Sequence, residues 1–386
     1  MFHSRFPRLP LRAVLFADGV FDQPEGKTAH DILRYSTIFK PIAIVDRALA
    51  PADSSRAVPG TNVPIFAAVE EAAYLQPEAF IMALTESDYG EWSGSVFIQM
   101  PRAPGHLPEF WKQQLSAAAR MGFHIISCLH FQLAESSFLD LTKHDQQLID
   151  IRHSLDEAPR YYGRHAQRRA KVVHVSGSDC SVGKRTAALQ LNRAARELGI
   201  DSGYIGTDQT CLLVGCDEGA IVDCAPARDA AGLVEELIEK AVSNRDILFV
   251  KGQASVLHPA FGGLATAILQ GSQPDAVIFV HDPTRTRRYQ WEHLPVGNPM
   301  MEIELIQALG KAPVVAVATH GRDNAERLRC LPVPIIDPST RDGARELLGT
   351  LAAEIDVPAR GKRLRLDHII EPDLENTKKR ATCSVK

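Results

Sequence analysis

VVHVSGSDCSVGKRT, residues 172–186, reads as a buried strand that runs into a phosphate-binding loop and then a helix. Val172, Val173 and Val175 are β-branched and suit a strand covered on both faces. Gly177 and Gly183 flank a short polar loop, and Lys184 and Thr186 follow at once. Such a loop turns successive backbone N–H groups inward as an anion-binding nest, and the helix beginning near Gly183 adds its positive end. Lys184 would reach terminal phosphate oxygens, and the Thr186 hydroxyl could sit on Mg²⁺. The spacing departs from the usual motif: its first glycine position is Ser178, with Gly177 one step earlier, and Arg185 separates Lys184 from Thr186. The candidate anion-binding set is therefore Gly177, Ser178, Asp179, Cys180, Ser181, Val182, Gly183, Lys184, Arg185 and Thr186. The plainer alternative is a glycine turn between strand and helix.

Around this motif the chain has 386 residues, enough for two domains. Hydrophobic residues make up 45% and charged ones 23%, the proportions of an ordinary globular protein. A formal net charge of −4 supplies no basic field for nucleic acid. No apolar run approaches the length of a membrane span, and the run Ala13–Ala17 is too short for a signal peptide and reads as a first strand. Seven scattered cysteines without CxxC spacing predict reduced thiols in a cytoplasm, with no disulfide framework and no metal site.

Strand-like and helix-like segments alternate, which predicts an α/β fold with mainly parallel sheets. In residues 1–150 the strands are Arg12–Phe16, Pro41–Val45, Pro64–Phe66, Ala79–Leu84 and His124–Cys128, with helices at Lys27–Tyr35 and Phe110–Met121. Leu139–Leu155 reads as a polar helix leading into a linker over residues 151–170. From Lys171 to residue 358, strands are expected near Ile205, Ile221, Ile247–Val250, Ala276–Val280 and Val314–Val317. Helices are expected at Lys184–Leu198, Ala231–Ser243, Gly263–Gln270, Met300–Leu309, Asn324–Arg329 and Thr340–Ile355. Residues 359–386 form a polar tail expected to be partly disordered.

Polar residues at the carboxyl ends of parallel strands line ligand crevices. On that rule Thr207, Asp208, Gln209 and Thr210 are candidate substrate contacts; their alternative is a turn in which Asp208 and its neighbours cap a helix. Lys251 ends another strand and can pair with a phosphate or a carboxylate; its alternative is a surface lysine. Gln253, Ser255 and His258 follow in the same loop. His281, Asp282, Arg285, Arg287 and Arg288 follow a third strand, and Arg285 is the candidate grip on an anionic group. In the first domain Asp18, Lys27 and Thr28 follow the first strand, and Cys128 and His130 follow the last. Cys180 sits where a helix N-terminus lowers a thiol pKa, although packing as a small residue is the plainer role.

The loop spelling GSDCSVGK resembles that of dethiobiotin synthetase, whose strand corresponding to Ile247–Lys251 ends in an acid that helps hold the metal. A broader resemblance rests on GKTAHDIL near Lys27, CLHFQLAE with His130, VSGSDCSVGKRTAAL, GTDQTCLLVG and KGQASVLHPAFGGLATAILQGSQPDAVIFVHDPTRT. Together they resemble a bacterial two-domain P-loop family, formerly of unknown function, that includes D-glutamate N-acetyltransferases. The resemblance covers most of residues 12–320 and implies an N-terminal Rossmann-like domain followed by a P-loop NTPase-like domain. Members typically show Gly-Gln-Thr-Gly at Asp208–Cys211, an acid at Lys251 and Gly-Gln-Gly at Gly252–Ala254, so this chain reads as a divergent member.

The first function this implies is transfer of an acetyl group from acetyl-coenzyme A to a small amino acid resembling D-glutamate. The loop would cradle the donor's phosphates, His258 or His281 would be the base, and Gln253 or backbone amides would stabilise the oxyanion. The alternatives are a kinase or ligase using ATP with Mg²⁺ on a small carboxylate, and a nucleotide-binding regulator without catalysis. A homo-oligomer is the base-rate expectation for such an enzyme.

Overall fold

In the computed structural model, which describes residues 2–84, 107–153, 159–164 and 168–357, the short apolar runs become the strands of two large sheets. The chain divides into two units. The first comprises Met1–Asp156 with Asp208–Cys216, and the second Glu157–Thr207 with Asp217–Lys386.

In the first unit α1 (Phe2–Arg5) leads to β1 (Leu11–Phe16), α2 (Lys27–Tyr35), β2 (Phe39–Val45), β3 (Ala52–Asp53) and β4 (Pro64–Phe66). Then come β5 (Ala79–Met82), α3 (Glu109–Arg120), β6 (His124–Ser127) and β7 (Leu148–Asp150). The sheet order is β3-β4-β2-β1-β5-β6-β7, parallel except for the β3–β4 pair. Ala13 to Phe16 of β1 are fully buried, as a central parallel strand requires. Trp111 of α3 meets the Phe16 ring edge-on at 5.7 Å and anchors that helix to the sheet.

The expected helix over Leu139–Leu155 is not present in its described part. Residues Leu148–Asp150 pair with β6 as an edge strand, and a single 3₁₀ turn spans Ile151–His153. Ile149 is buried between half-buried Leu148 and Asp150, the alternation of a strand too short to stand out among the surrounding polar residues. Residues 154–155 and the expected tail at 359–386 lie outside the described residues.

The second unit begins its sheet with β8 (Lys171–Gly177), followed by α4 (Lys184–Glu197) and β9 (Ser202–Gly206). The chain then forms α5 (Gln209–Val214), which belongs to the first unit. It resumes with β10 (Glu218–Gly219), α6 (Ala230–Ala241), β11 (Ile247–Lys251), α7 (Gly262–Ser272) and β12 (Ala276–Val280). A small antiparallel pair, β13 (Arg287–Arg288) and β14 (Trp291–Pro295), precedes α8 (Pro299–Gly310), β15 (Val314–Ala318), α9 (Arg322–Arg327), β16 (Ile335–Ile336) and α10 (Arg341–Glu354). The order β10-β9-β11-β8-β12-β15-β16 is parallel throughout and places β8 at the centre. The strand expected at Ile221 is instead the two-residue β10 with a 3₁₀ turn at Val222–Cys224, because Ala220 and Val222 hydrogen-bond back to Gly206 and Thr207. Residues near 160 are tied into the second unit: Glu235 accepts from the backbone N–H of Tyr162 (2.7 Å) and of Arg164 (2.5 Å).

Candidate functional site

The register of the second sheet brings three loops to one edge. Gly177 at the end of β8 lies opposite Val280 of β12, and Val175 lies opposite Lys251 of β11. The chain segments after these strands hold the candidate residues.

The loop after β8 has the backbone of an anion nest. Ser181 (φ 54°) and Gly183 (φ 102°) both take left-handed conformations, which turn N–H groups into a concavity. Gly183 is favoured by its positive φ, and a Cβ there would lie 2.0 Å from the His320 ring, which would have to shift. At Gly177 a Cβ would lie 2.9 Å from the stem of Lys184, so its absence lets that side chain fold back over the loop. Lys184 is buried and donates to the Asp179 carbonyl at 2.5 Å. Burial first, and then the positive charge of Lys251, lower its pKa to about 8, against an opposing pull from Cys180 and Asp179.

Arginines brace this loop from β12 onward. Arg285 donates to the carbonyls of Cys180 (2.5 Å) and Ser181 (3.2 Å) and approaches Asp179 Oδ2 at 3.4 Å. Its guanidinium is therefore engaged by the loop itself, in place of the expected grip on a ligand. Tyr289 N–H donates to the same Asp179 oxygen at 2.6 Å. Buried Arg288 spans the loop and the segment after β11, reaching Ser178 O at 3.5 Å and Leu257 O at 3.1 Å. His281 Nδ1 meets Ser178 Oγ at 2.8 Å, and burial lowers its pKa.

After β11 the chain folds back on itself. Thr207 Oγ1 donates to the Lys251 carbonyl (2.9 Å), and Gln253 Nε2 donates to the Thr207 carbonyl (2.7 Å). Lys251 is buried, which sets aside its reading as a surface lysine. Ser255 Oγ donates to Glu302 Oε1 and accepts from Leu257 N–H at 3.0 Å. His258 Nδ1 accepts from the backbone N–H of Ala260 (3.1 Å) and Phe261 (3.2 Å). With Nδ1 receiving those donors, the ring proton is on Nε2, a buried atom without a partner. Burial, with Arg288 adding to it, lowers the His258 pKa to about 4. His258 is thus a neutral donor, and the expected role of base does not suit its hydrogen bonding.

Glu302, in the first turns of α8, is the residue that the sequence reading missed. It is fully buried, its Oε2 has no partner, and burial raises its pKa to about 7 against the pull of Ser255, Arg288 and Lys184. The signal available was an acid aligned with Ile303 and Ile306 on the apolar face of a helix. Asp179 Oδ1 is a third buried polar atom left without a partner. A donor, a carboxylate of intermediate basicity and several cations are thus linked around one loop, an arrangement suited to an anionic ligand and a proton transfer.

Other expected residues belong to the first unit. Asp208 accepts from Cys211 N–H at 2.9 Å and caps α5, the capping alternative. Thr210 Oγ1 meets Thr28 Oγ1 at 3.0 Å, and Gln209 Oε1 accepts from Arg152 at 3.2 Å. His130 follows β6, with its carbonyl 3.0 Å from His153 Nε2. Asp18 forms a two-pronged ion pair with Arg47 at 2.7 and 3.0 Å. Among the described residues, no group of three or more His, Cys, Asp or Glu is arranged to hold a metal ion, and no helix is long and apolar enough to cross a membrane.

Comparison with known proteins places these features in context. Residues 159–331 match the P-loop domain of DUF1611, a domain of unknown function, and residues 50–154 match its Rossmann-like companion, DUF1611_N. A D-glutamate N-acetyltransferase of a Pseudoalteromonas species is 33% identical over 264 residues, covering 64% of this chain and 78% of that protein. Another of the same name, from Tritonibacter scottomollicae, is 32% identical over 280 residues, 67% of this chain and 81% of that one. The crystal structure of a DUF1611 family protein from Anabaena variabilis superposes with a TM-score of 0.77 at 25% identity, covering 89% of this chain and 99% of that one.

Proposed function

The chain belongs to the DUF1611 family, with its Rossmann-like and P-loop domains, and on that premise we propose that it transfers the acetyl group of acetyl-coenzyme A to the amine of D-glutamate or a closely similar amino acid. The reading is supported by the likeness to two N-acetyltransferases and, in the site itself, by cations and a buried neutral donor beside the loop.

The donor substrate carries a pyrophosphate and a ribose phosphate, and the residues present suit both. The nest after β8 offers backbone N–H groups, and Lys184 and Lys251 are buried cations that gain from a phosphate neighbour. Lys251 removes the acid that would help hold Mg²⁺, and acyl transfer needs none. His258 keeps its Nε2 proton and offers a hydrogen bond from it to the oxygen that becomes negative when the acetyl carbonyl is attacked. One such donor accounts for roughly 10²–10³ in rate. Gln253 is held by the Thr207 carbonyl and acts by fixing the backbone of this loop. Arg285 and His281 hold the loop in its anion-binding form.

Thermal melting tests the reading, because a ligand that binds the native state raises its stability by mass action. Acetyl-coenzyme A, coenzyme A, ATP with Mg²⁺ and ATP with chelator are compared on the wild type and on Lys184→Ala, alongside coenzyme A release with D- and L-glutamate. The expected result is a shift with acetyl-coenzyme A that the variant loses, with release dependent on the amino acid. A Mg²⁺-dependent shift with ATP alone overturns the reading in favour of a kinase or ligase.

A further inference from the structure

We propose that Glu302 is the general base of this site: its Oε2 takes the proton from the acceptor's amine as the nitrogen attacks the acetyl carbonyl. The proposal rests on the acetyltransferase reading and deepens it.

The buried face of α8 carries Glu302, Ile303 and Ile306, and Asn298 and Pro299 start the helix. A carboxylate on such a face loses its hydration, and an apolar side chain there would cost less. Glu302 is partly compensated: Ser255 Oγ donates to Oε1, and Leu257 N–H fixes that hydroxyl from behind. One oxygen is thereby held and the other is left buried without a partner. The charges that act on it are Lys184 from α4, Arg288 from β13 and Asp179 from the anion loop. It therefore shares the surroundings of His258, on which Arg288, Asp179 and Lys184 also act.

The neighbouring titratable groups are drawn into the site's own hydrogen bonds. His258 accepts at Nδ1 and holds its proton at Nε2. His281 Nδ1 is engaged by Ser178 Oγ. His174 lies within β8 against Ser272, with a pKa lowered to about 3 by burial and by Lys184 and Lys251. Asp179 Oδ2 is bound by Tyr289 N–H and Arg285. Glu302 Oε2 and Asp179 Oδ1 are the carboxylate oxygens beside the loop left without a partner, and Glu302, with its pKa near 7, is the effective base at neutral pH.

The step balances. The acceptor enters as an ammonium and loses one proton to solvent. Its nitrogen lone pair forms the N–C bond, and the carbonyl π electrons move to oxygen, facing the His258 Nε2 proton. Glu302 Oε2 takes a second proton from nitrogen. The oxygen's electrons return, the C–S bond breaks, and the departing thiolate receives the proton that Glu302 holds. Each turnover releases one proton and leaves Glu302 as it began.

The test measures kcat against pH for the wild type, Glu302→Gln, Glu302→Asp and His281→Ala, with D-glutamate and acetyl-coenzyme A. The wild type is expected to show a limb rising near neutrality. Glu302→Gln is expected to keep the acetyl-coenzyme A melting shift, lose about 10²–10⁴ in kcat and lose that limb. Glu302→Asp recovers part of the rate, and His281→Ala lowers the rate but retains the limb. A Glu302→Gln enzyme with the wild-type rate and limb overturns the proposal alone. If Glu302→Gln does not fold, a Glu302→Asp enzyme with an unchanged rate and limb overturns it equally. A wild type that acetylates no amine overturns the acetyltransferase reading, and this proposal with it.

Discussion

Lys184 shows how much of this site is decided by single residues. It is buried beside a second buried lysine, Lys251, and its pKa falls from 10.5 to about 8. In the native state the charged form is penalised, so the unfolded chain binds more protons between those values and stability rises with pH across them. Below pH 8 the whole penalty is felt, about 3 kcal/mol from the size of the shift, less about 1 for the hydrogen bond to Asp179. Lys184→Met should therefore make the ligand-free protein more stable at pH 7 by about 1–2 kcal/mol while abolishing stabilisation by acetyl-coenzyme A. Melting with and without ligand checks both. Ala254 tells a similar story: with φ 39° it holds a left-handed conformation that favours glycine. Ala254→Gly should add about 1 kcal/mol in a denaturant titration, and no gain would show the conformation to be unstrained. Lys184 and its loop were legible because their spacing is itself a signal. Glu302 was not, because an acid in a helix reads as a solvated residue until the loop carrying Ser255 is seen to cover it.

Helices and strands were legible in proportion to how local their causes are. β8, β11, β12 and β15 follow from apolar runs that no water could solvate, and their bounds fall within a residue or two of expectation. β7 and β10 have two or three residues each, and they exist because a neighbouring strand offers an edge. Caps divide along the same line. Thr340 begins α10, with its hydroxyl accepting from Gly343 N–H at 3.0 Å, and Gly343 has no room for a Cβ beside the Asp337 carbonyl. Thr340→Ala should cost about 1 kcal/mol without changing ligand affinity, measured by melting and by titration with acetyl-coenzyme A. Asp208 caps α5 in the same way, so its polarity, read as a sign of ligand contact, is explained by helix initiation.

Across the whole molecule the shifted groups set how stability depends on pH. His174 and His258 have pKa values lowered from 6.5 to about 3 and 4, so the stability they contribute is present above 6.5 and lost as pH falls. Glu302 is raised from 4.5 to about 7, so its contribution is present below 4.5 and lost as pH rises through 7. Between 4.5 and 6.5 the unfolded chain gains two histidine protons and lacks one glutamate proton relative to the native state. These three groups together make stability rise by roughly 1.4 kcal/mol per pH unit there, and Glu302→Gln should steepen the rise. Denaturant titrations at a series of pH values would sink this account if the slope were flat or reversed.

The path of the chain carries a further consequence. Cys211, Leu213 and Val214 of α5 are buried in the first unit, where Leu213 and Val214 supply carbonyls to Ser36 and Thr37, yet they are encoded deep within the second. A gene cut between Asp156 and Glu157 would deprive one product of a helix and leave the other with an apolar helix without its usual burial. The two halves are therefore not interchangeable parts. Recombination that swaps either one for a homologous module must also carry over the graft at residues 208–216, so the halves are bound to be inherited together.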